Sequence, residues 1–357
     1  MTLKNNMSEF LKSLIAPLTS VLCALLIGAA VMGVSGFDPL EAYQALFRGA
    51  FGDVRALGNT LARTTPIIFT GLAISVAFKG GMFNIGAEGQ IMLGALGAAF
   101  AGHYLIGLPA VIHLPLSVFA GMLTAALWGF VPGLLKSAKG VHEVISSIMM
   151  NYIALSVASL AVVRVTVGDM AQTPPILPTS HFPRISEFIP AFHGTHLNVG
   201  FFLALFSAFA VYFMMKKTVL GFEITSIGFN RAASEDAGIN IKKKIIIIFL
   251  ISSVLAGLGG VERVLGVQRV YMAGVTTGFG FEGIAVALLA NNNPIGIIFS
   301  ALLFGALASG GHFMNMAAGV PRDIIGIIQG LIVLFAASYK MFNFIKIRYN
   351  RKKEAVQ

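Results

Sequence analysis

The chain has 357 residues, of which 56% are hydrophobic and 11% charged, and its mean hydropathy is +0.83. Soluble domains carry roughly a quarter charged residues, so water cannot be the solvent for most of this surface. The net charge of +10 comes from basic residues set between hydrophobic runs, with no basic face or aromatic-interleaved patch, which argues against a nucleic-acid partner.

Apolar runs of about 20 residues recur along the chain, each long enough to cross a hydrocarbon core of about 30 Å as a helix. They are continuous, as in Val21 to Val34 and Ile245 to Leu258, where a barrel needs short alternating strands. The fold class expected is an all-α polytopic membrane protein. Lys4 and Lys12 precede the first run in the manner of a signal peptide, but that run reaches about Gly36 without a small-residue cleavage site, so it reads as a retained first helix. Cys23, the only cysteine, lies inside it, which leaves no disulfide pair and no paired-Cys metal motif.

Spans are expected at Leu14–Gly36, Thr60–Phe78, Ile85–Ile106, Pro109–Leu135, Val144–Val165, Leu197–Met215, Ile245–Val267, a short Phe281–Ala290, Ile295–Gly311 and Pro321–Tyr339. With both termini cytoplasmic, about 17 of the 25 Lys and Arg residues, every lysine among them, fall on the inner side, as the positive-inside bias requires. Residues 37–58 then form an outer loop, and residues 168–196 a second one, rich in proline (Pro174, Pro175, Pro178, Pro183, Pro190). Proline removes backbone donors and favours extended or turn geometry; this segment is a docking surface or a plain connector. On the inner side, residues 216–244 hold Asn230 as the cap of a short helix whose Ala232, Ala233 and Ala237 form a small face and which Gly238 ends. That helix suits a partner's groove, and a solvated loop with one helical turn is the simpler account. The tail 340–357, with Lys346, Arg348, Arg351, Lys352 and Lys353, faces anionic headgroups.

Ionisable groups within spans are costly unless they face a cavity. Glu88, in Gly86-Ala87-Glu88-Gly89, and Glu282, in Gly280-Phe281-Glu282-Gly283, give the pattern Gly-x-Glu-Gly once in each half, heading spans of opposite direction. Inverted repeats with broken helices show this weak symmetry; the alternative is two carboxylates capping helix N-termini at the membrane surface. Asn151 and Tyr152 fall within the fifth span, and Asn291, Asn292, Asn293 and Pro294 break the chain after the short eighth one. Amides and a phenol suit a neutral, polar, ring-containing solute, while interhelical hydrogen bonding competes as the role of Asn151. There is no G-x-x-x-x-G-K-S/T phosphate loop, no HExxH and no G-x-S-x-G elbow. The seven histidines are scattered, with His103, His113, His181, His193 and His196 near expected outer ends. No catalytic constellation emerges.

The stretches Phe83–Gln90 (FNIGAEGQ), Gly140–Ala154 (GVHEVISSIMMNYIA), Gly228–Ile239 (GFNRAASEDAGI), Ser252–Gly260 (SSVLAGLGG) and Gly278–Ala290 (GFGFEGIAVALLA) closely resemble permeases of ATP-binding-cassette importers, in the superfamily that carries branched-chain amino acids, simple sugars and nucleosides. The FNIG-x-EGQ form, EVIS-x-x-M-x-NYIA and Gln172-Thr173-Pro174-Pro175 resemble its nucleoside branch, served by basic-membrane-lipoprotein-type binding proteins. The resemblance implies a subunit of the bacterial cytoplasmic membrane, not itself an enzyme, paired with a second permease chain, ATPase subunits inside and a substrate-binding lipoprotein outside. It implies that Gly228, Asn230, Ala232, Ala233 and Gly238 couple to the ATPase. The pathway is expected to be lined or shaped by Phe83, Asn84, Glu88, Gln90, Asn151, Tyr152 and Glu282, with no metal or organic cofactor. His142, Glu262 and Arg263 depart from the family pattern. The rival readings are a ribose-type sugar permease and an ion-coupled secondary transporter in which Glu88 or Glu282 carries the proton.

Overall fold

A computed structural model describes residues 2–166, 171–272, 274, 276, 278–336 and 338, with side chains from residue 18 onward. Residues 168–170 of the proline-rich segment and the basic tail 340–357 lie outside the described residues. The helices before that segment are α1 (Thr2–Val34), α2 (Pro39–Phe51), α3 (Val54–Lys79), α4 (Ala87–Tyr104), α5 (Ala110–Lys139) and α6 (Glu143–Val165). After it come α7 (Gly200–Lys217), α8 (Val219–Phe229), α9 (Arg231–Asp236), α10 (Ile241–Glu262), α11 (Phe279–Leu289), α12 (Pro294–Ala318) and α13 (Asp323–Ala336). Helix α10 runs on through a π-helical turn, Arg263–Gln268. Among the described residues the β pairing is confined to two isolated bridges, Gln172 with Met272 and Arg184 with Asn198. The expected all-α polytopic membrane architecture is what forms, with six helices long and apolar enough to cross a bilayer: α3, α5, α6, α7, α10 with its extension, and α12.

Two expected connections are helical. Residues 37–58, taken as a loop, contain α2: Asp38 caps it by accepting from the Leu40 and Glu41 nitrogens at 2.8 and 3.3 Å, and Pro39 stands in the first turn, where its missing N–H costs nothing. Its buried face is Ala42, Ala45 and Ala50, packed on α12 and α3. At 13 residues α2 is too short to register as a span. Residues 216–244 hold two helices where one was expected, because Thr218 caps α8 before Asn230 caps α9.

The centre is α4, enclosed by α3, α5, α6 and α10. Small residues let these backbones touch: a Cβ on Gly94 would stand 2.7 Å from the Gly257 Cα, and one on Gly260 would overlap the Ile91 carbonyl oxygen. Helices in lipid associate through such close packing, since burial of apolar surface gains nothing there. Overpacking costs typically about 1–3 kcal/mol, more where the obstacle is backbone. Gly260→Ala is therefore expected to lower the unfolding midpoint of the purified chain and its folded yield in detergent, whereas Gly326→Ala, where a Cβ meets nothing within 4 Å, leaves both unchanged.

The two ends of the bundle differ in charge. At one, Ser137 donates to the Lys242 carbonyl at 2.8 Å, Lys136 pairs with Glu143 at 2.7 Å, and Lys244 pairs with Glu223. At the other, the segment after α6 is laid across the ends of α4, α5 and α10: Leu177 donates to the Gly102 carbonyl at 2.8 Å, Phe182 to that of Leu265 at 3.0 Å, and His113 Nδ1 lies 2.7 Å from Thr179 Oγ1. Burial, with Arg269 next in weight, holds the His181 imidazole below the ordinary histidine range, and burial with Arg184 does the same for His196. Both shifts favour the uncharged imidazole, and Arg184 and Arg269 carry positive charge beside them.

Candidate functional site: the meeting of two helix N-termini

Helices α4 and α11 start inside the bundle and run apart from a common point. A Cβ on Gly280 would stand 2.5 Å from the Glu88 nitrogen and 2.6 Å from its Cα, so the first turns abut with no room for a side chain. Gly278 enters α11 at φ +93°, a left-handed conformation that glycine adopts without strain. Glu88, 6% exposed, projects from the first turn of α4 onto the neighbouring start: one carboxylate oxygen accepts from the Gly278 nitrogen at 2.8 Å and the other from the Gly280 nitrogen at 2.9 Å. It thus satisfies amides that a helix start leaves orphaned, and two positive dipole ends converge on its charge. The capping alternative for Glu88 holds in altered form, because it caps the other half's helix and does so in the protein interior.

Three amides expected to shape the pathway are committed to holding this junction. Asn84 and Gln90 exchange hydrogen bonds at 2.9 and 3.1 Å; Asn84 also donates to Ser252 Oγ at 2.8 Å, and Ser252 donates to the Ala73 carbonyl at 2.7 Å. Asn151 accepts from the Gly89 nitrogen at 2.8 Å and donates to the Ile85 carbonyl at 3.0 Å, clamping the start of α4 to α6. Their hydrogen-bonding groups are thus engaged within the protein, and for Asn151 these are the interhelical bonds set against a pathway role. The structure does not bring Tyr152 into the group: one residue on from Asn151, it faces away from the bundle at 65% exposure. Phe83 is 41% exposed and packs edge-on against Phe78, ring centres 4.4 Å apart.

Glu282, the glutamate of the second Gly-x-Glu-Gly, stands at the end of the first turn of α11 and takes a different partner, Arg63 of α3, at 3.1 Å. The Arg63 guanidinium lies over the Phe279 ring at 4.3 Å, and Arg263, from the π-helical turn, approaches the same buried ring at 5.3 Å. Glu262, wholly buried beside Arg263, accepts from Asn198 Nδ2 at 2.7 Å. Of the two departures, Arg263 therefore sits next to the junction, while Glu262 turns to Asn198 and Gly200 at the start of α7. Between α3, α11, α12 and α13 lies a cavity of about 520 Å³, with Arg63, Glu282, His312, Arg322, Asp323 and Gln329 in its wall. Arg63 and Gln329 are not among the residues expected from the sequence, although a charge or amide within the expected spans Thr60–Phe78 and Pro321–Tyr339 was itself the signal; His312 falls just past the expected span Ile295–Gly311 and carried none.

Away from the junction, Asn230 Oδ1 accepts from the Ala233 nitrogen at 3.1 Å, Ala232 and Ala233 stand exposed, and Gly238 closes α9 at φ +84°. Gly228, at the end of α8, lies against the turn after α3: a Cβ on Gly81 would stand 3.1 Å from its Cα. The expected coupling residues are thus joined through one backbone contact to the turn that carries Asn84.

The family described as "Branched-chain amino acid transport system / permease component" matches residues 56–337. The chain is 38% identical to the guanosine ABC transporter permease protein NupP of Bacillus subtilis, over 97% of this chain and 99% of that protein. It is 34% identical to the nucleoside ABC transporter permease protein NupB of Lactococcus lactis, over 93% and 92%. With the glucose ABC transporter permease protein TsgB13 of Haloferax volcanii it shares 32% identity over 93% and 89%. Two half-helices meeting head to head in a polytopic helical bundle, and a match across most of its length, place this chain in the family of branched-chain amino acid transport system permease components.

Proposed function

We propose that this chain is the membrane-spanning subunit of an ATP-driven nucleoside importer in a bacterial cytoplasmic membrane. The observation that carries the proposal is the end-to-end identity of 38% with a guanosine permease. Separate ATPase subunits bind on the lysine-rich side, a second permease chain completes the pathway, and an external lipoprotein delivers the solute. The chain needs no cofactor of its own. ATPase closure moves α9; Gly228 passes that motion to the turn at Gly81, and the junction held by Glu88 shifts so that the pathway opens alternately outward and inward. The affinity resides mainly in the lipoprotein, since a tight site here would slow release.

The test is uptake of labelled guanosine by cells with and without the gene, with ATP or the proton gradient depleted separately. Loss on deletion and dependence on ATP support the proposal; dependence on the proton gradient alone points to a secondary transporter and overturns it. The glucose permease relative favours a second reading, a sugar permease, which competition by free ribose or glucose, but not by nucleosides, would establish. Docking through α9 makes a separate prediction. Ala233→Asp places a charge on an exposed alanine, so uptake is expected to fall at least about tenfold, since a buried unpaired charge at an interface costs several kcal/mol. Membrane levels of the chain stay unchanged, and less ATPase co-purifies.

A further inference from the structure

The π-helical turn that extends α10 has a neighbour on each side. Glu262, the residue just before it, accepts from Asn198 Nδ2 at 2.7 Å, and Asn198 belongs to the outer segment 172–199. Arg263, the next residue, turns instead to α11 and holds its guanidinium 5.3 Å from the centre of the Phe279 ring. Phe279 lies between Gly278 and Gly280, whose nitrogens the Glu88 carboxylate takes. Two consecutive residues thus stand between the outer segment and the junction. The segment is fastened to the same turn at further points. Phe182 donates to the Leu265 carbonyl at 3.0 Å, Ile176 to that of Arg269 at 2.9 Å, and Thr173 to that of Tyr271 at 2.8 Å. Gly266 leaves the room that Asn198 fills, since a Cβ there would stand 2.3 Å from its Nδ2. Arg269 ends the turn at φ +62°, a left-handed conformation that costs a residue other than glycine and lasts only where its surroundings enforce it. π-Turns inside helices occur frequently at functional sites.

We propose that Glu262 and Arg263 form the joint through which an outer partner acts on the junction. A protein seated on segment 172–199 moves the segment and the turn as one body, and Arg263 carries that movement to Phe279 and so to the start of α11. The proposal rests on the importer reading, in which the partner is the lipoprotein that delivers the solute. The junction is then reached from both faces of the membrane: from inside through Gly228 and Gly81, and from outside through this turn. Glu262 and Arg263 are positioning residues, and neither touches solute.

Cys23 is the only cysteine, so the joint can be rebuilt covalently in a Cys23→Ser background. A Cβ on Gly266 would stand 2.6 Å from Asn198 Cγ, which puts the two Cβ atoms within about 4 Å, the separation a disulfide spans. Cells carrying Asn198→Cys with Gly266→Cys are assayed for guanosine uptake after oxidation and after reduction, with alkylation reporting the bridged fraction. In the reduced pair the Asn198 amide is gone, and the maximal rate is expected to fall at least about fivefold, as the loss of a buried hydrogen bond allows. Half-saturating guanosine stays unchanged, because the affinity lies in the lipoprotein. Oxidation replaces the bond by a bridge and should restore about half the rate or more, and Arg263→Met added to the bridged pair should remove that recovery. Should the cysteine pair not reach the membrane, Glu262→Gln and Glu262→Ala make the same comparison. Glutamine keeps an acceptor for Asn198 and most of the uptake, while alanine keeps neither; equal uptake in the two overturns the joint. Cys23→Ser cells that carry no guanosine overturn the importer reading and this proposal with it. Where guanosine is carried, full uptake in the reduced pair, no recovery on bridging, or recovery that survives Arg263→Met overturns the joint alone. A bridge that blocks uptake means that segment and turn part during the cycle, and it overturns their movement as one body.

Discussion

Replacing Glu88 by alanine is expected to abolish uptake and to lower the unfolding midpoint of the purified complex, with Glu88→Gln close behind. The carboxylate accepts from two backbone nitrogens of the facing helix at 2.8 and 2.9 Å, and hydrogen bonds to a charged group contribute about 1.5–3 kcal/mol each. Alanine removes both and leaves two amides unmet in the interior, a loss of about 3–5 kcal/mol in all. Glutamine keeps one acceptor but turns an NH₂ donor toward a second N–H donor, so at least half the loss remains. Glu88→Asp keeps the charge on a shorter arm and should retain a measurable fraction of uptake. The measurement is guanosine uptake in intact cells beside thermal unfolding of the purified variants. Wild-type uptake and an unshifted midpoint in Glu88→Ala would remove Glu88 from the junction's working parts. Because the glutamine variant disturbs the cap, its loss of uptake is not by itself a sign of proton coupling.

Hydropathy locates the spans because it is a local property, and it misses helices too short to cross a bilayer. Helix α2, 13 residues carrying Glu41 and Arg48, is the case in point. The cap at Asn230 and the stop at Gly238 were legible for the opposite reason, since a cap bonds to a nitrogen three residues away. The repeated Gly-x-Glu-Gly marked both half-helices; Gly280 is where the two starts touch, while Gly86, Gly89 and Gly283 admit Ser147, Asn151 and Thr70. What the pattern could not show is where each carboxylate goes: Glu88 reaches Gly278 and Gly280 some 190 positions on, while Glu282 turns instead to Arg63, 219 positions back. An amide in a span offers the same atoms to a solute as to a backbone. Only the observed bonds of Asn84, Gln90 and Asn151 decide that the backbone and neighbouring side chains have taken them.

That second partnership sets up a double-mutant test with an asymmetric outcome. Arg63→Met is expected to cut uptake at least about tenfold and to destabilise the complex, because Glu282 is left as a carboxylate without its cation among buried groups. Glu282→Gln alone is the milder change for stability, since the Arg63 side chain is 35% exposed and keeps its contact with Phe279. Combining them removes both charges, and the unfolding midpoint should recover most of what Arg63→Met lost, with a coupling of about 1–2 kcal/mol, between the values for exposed and buried pairs. Uptake should stay low in the double variant, because the Arg63 guanidinium and the Glu282 carboxylate beside the junction are gone even though the fold has been repaired. If uptake returns together with stability, the pair serves the fold alone. If neither returns, the two residues act independently and the 3.1 Å contact carries no mutual stabilisation. Recovery of stability without recovery of transport separates holding α11 in place from handling the solute, and it is the outcome the geometry of Arg63, Phe279 and Glu282 leads us to expect.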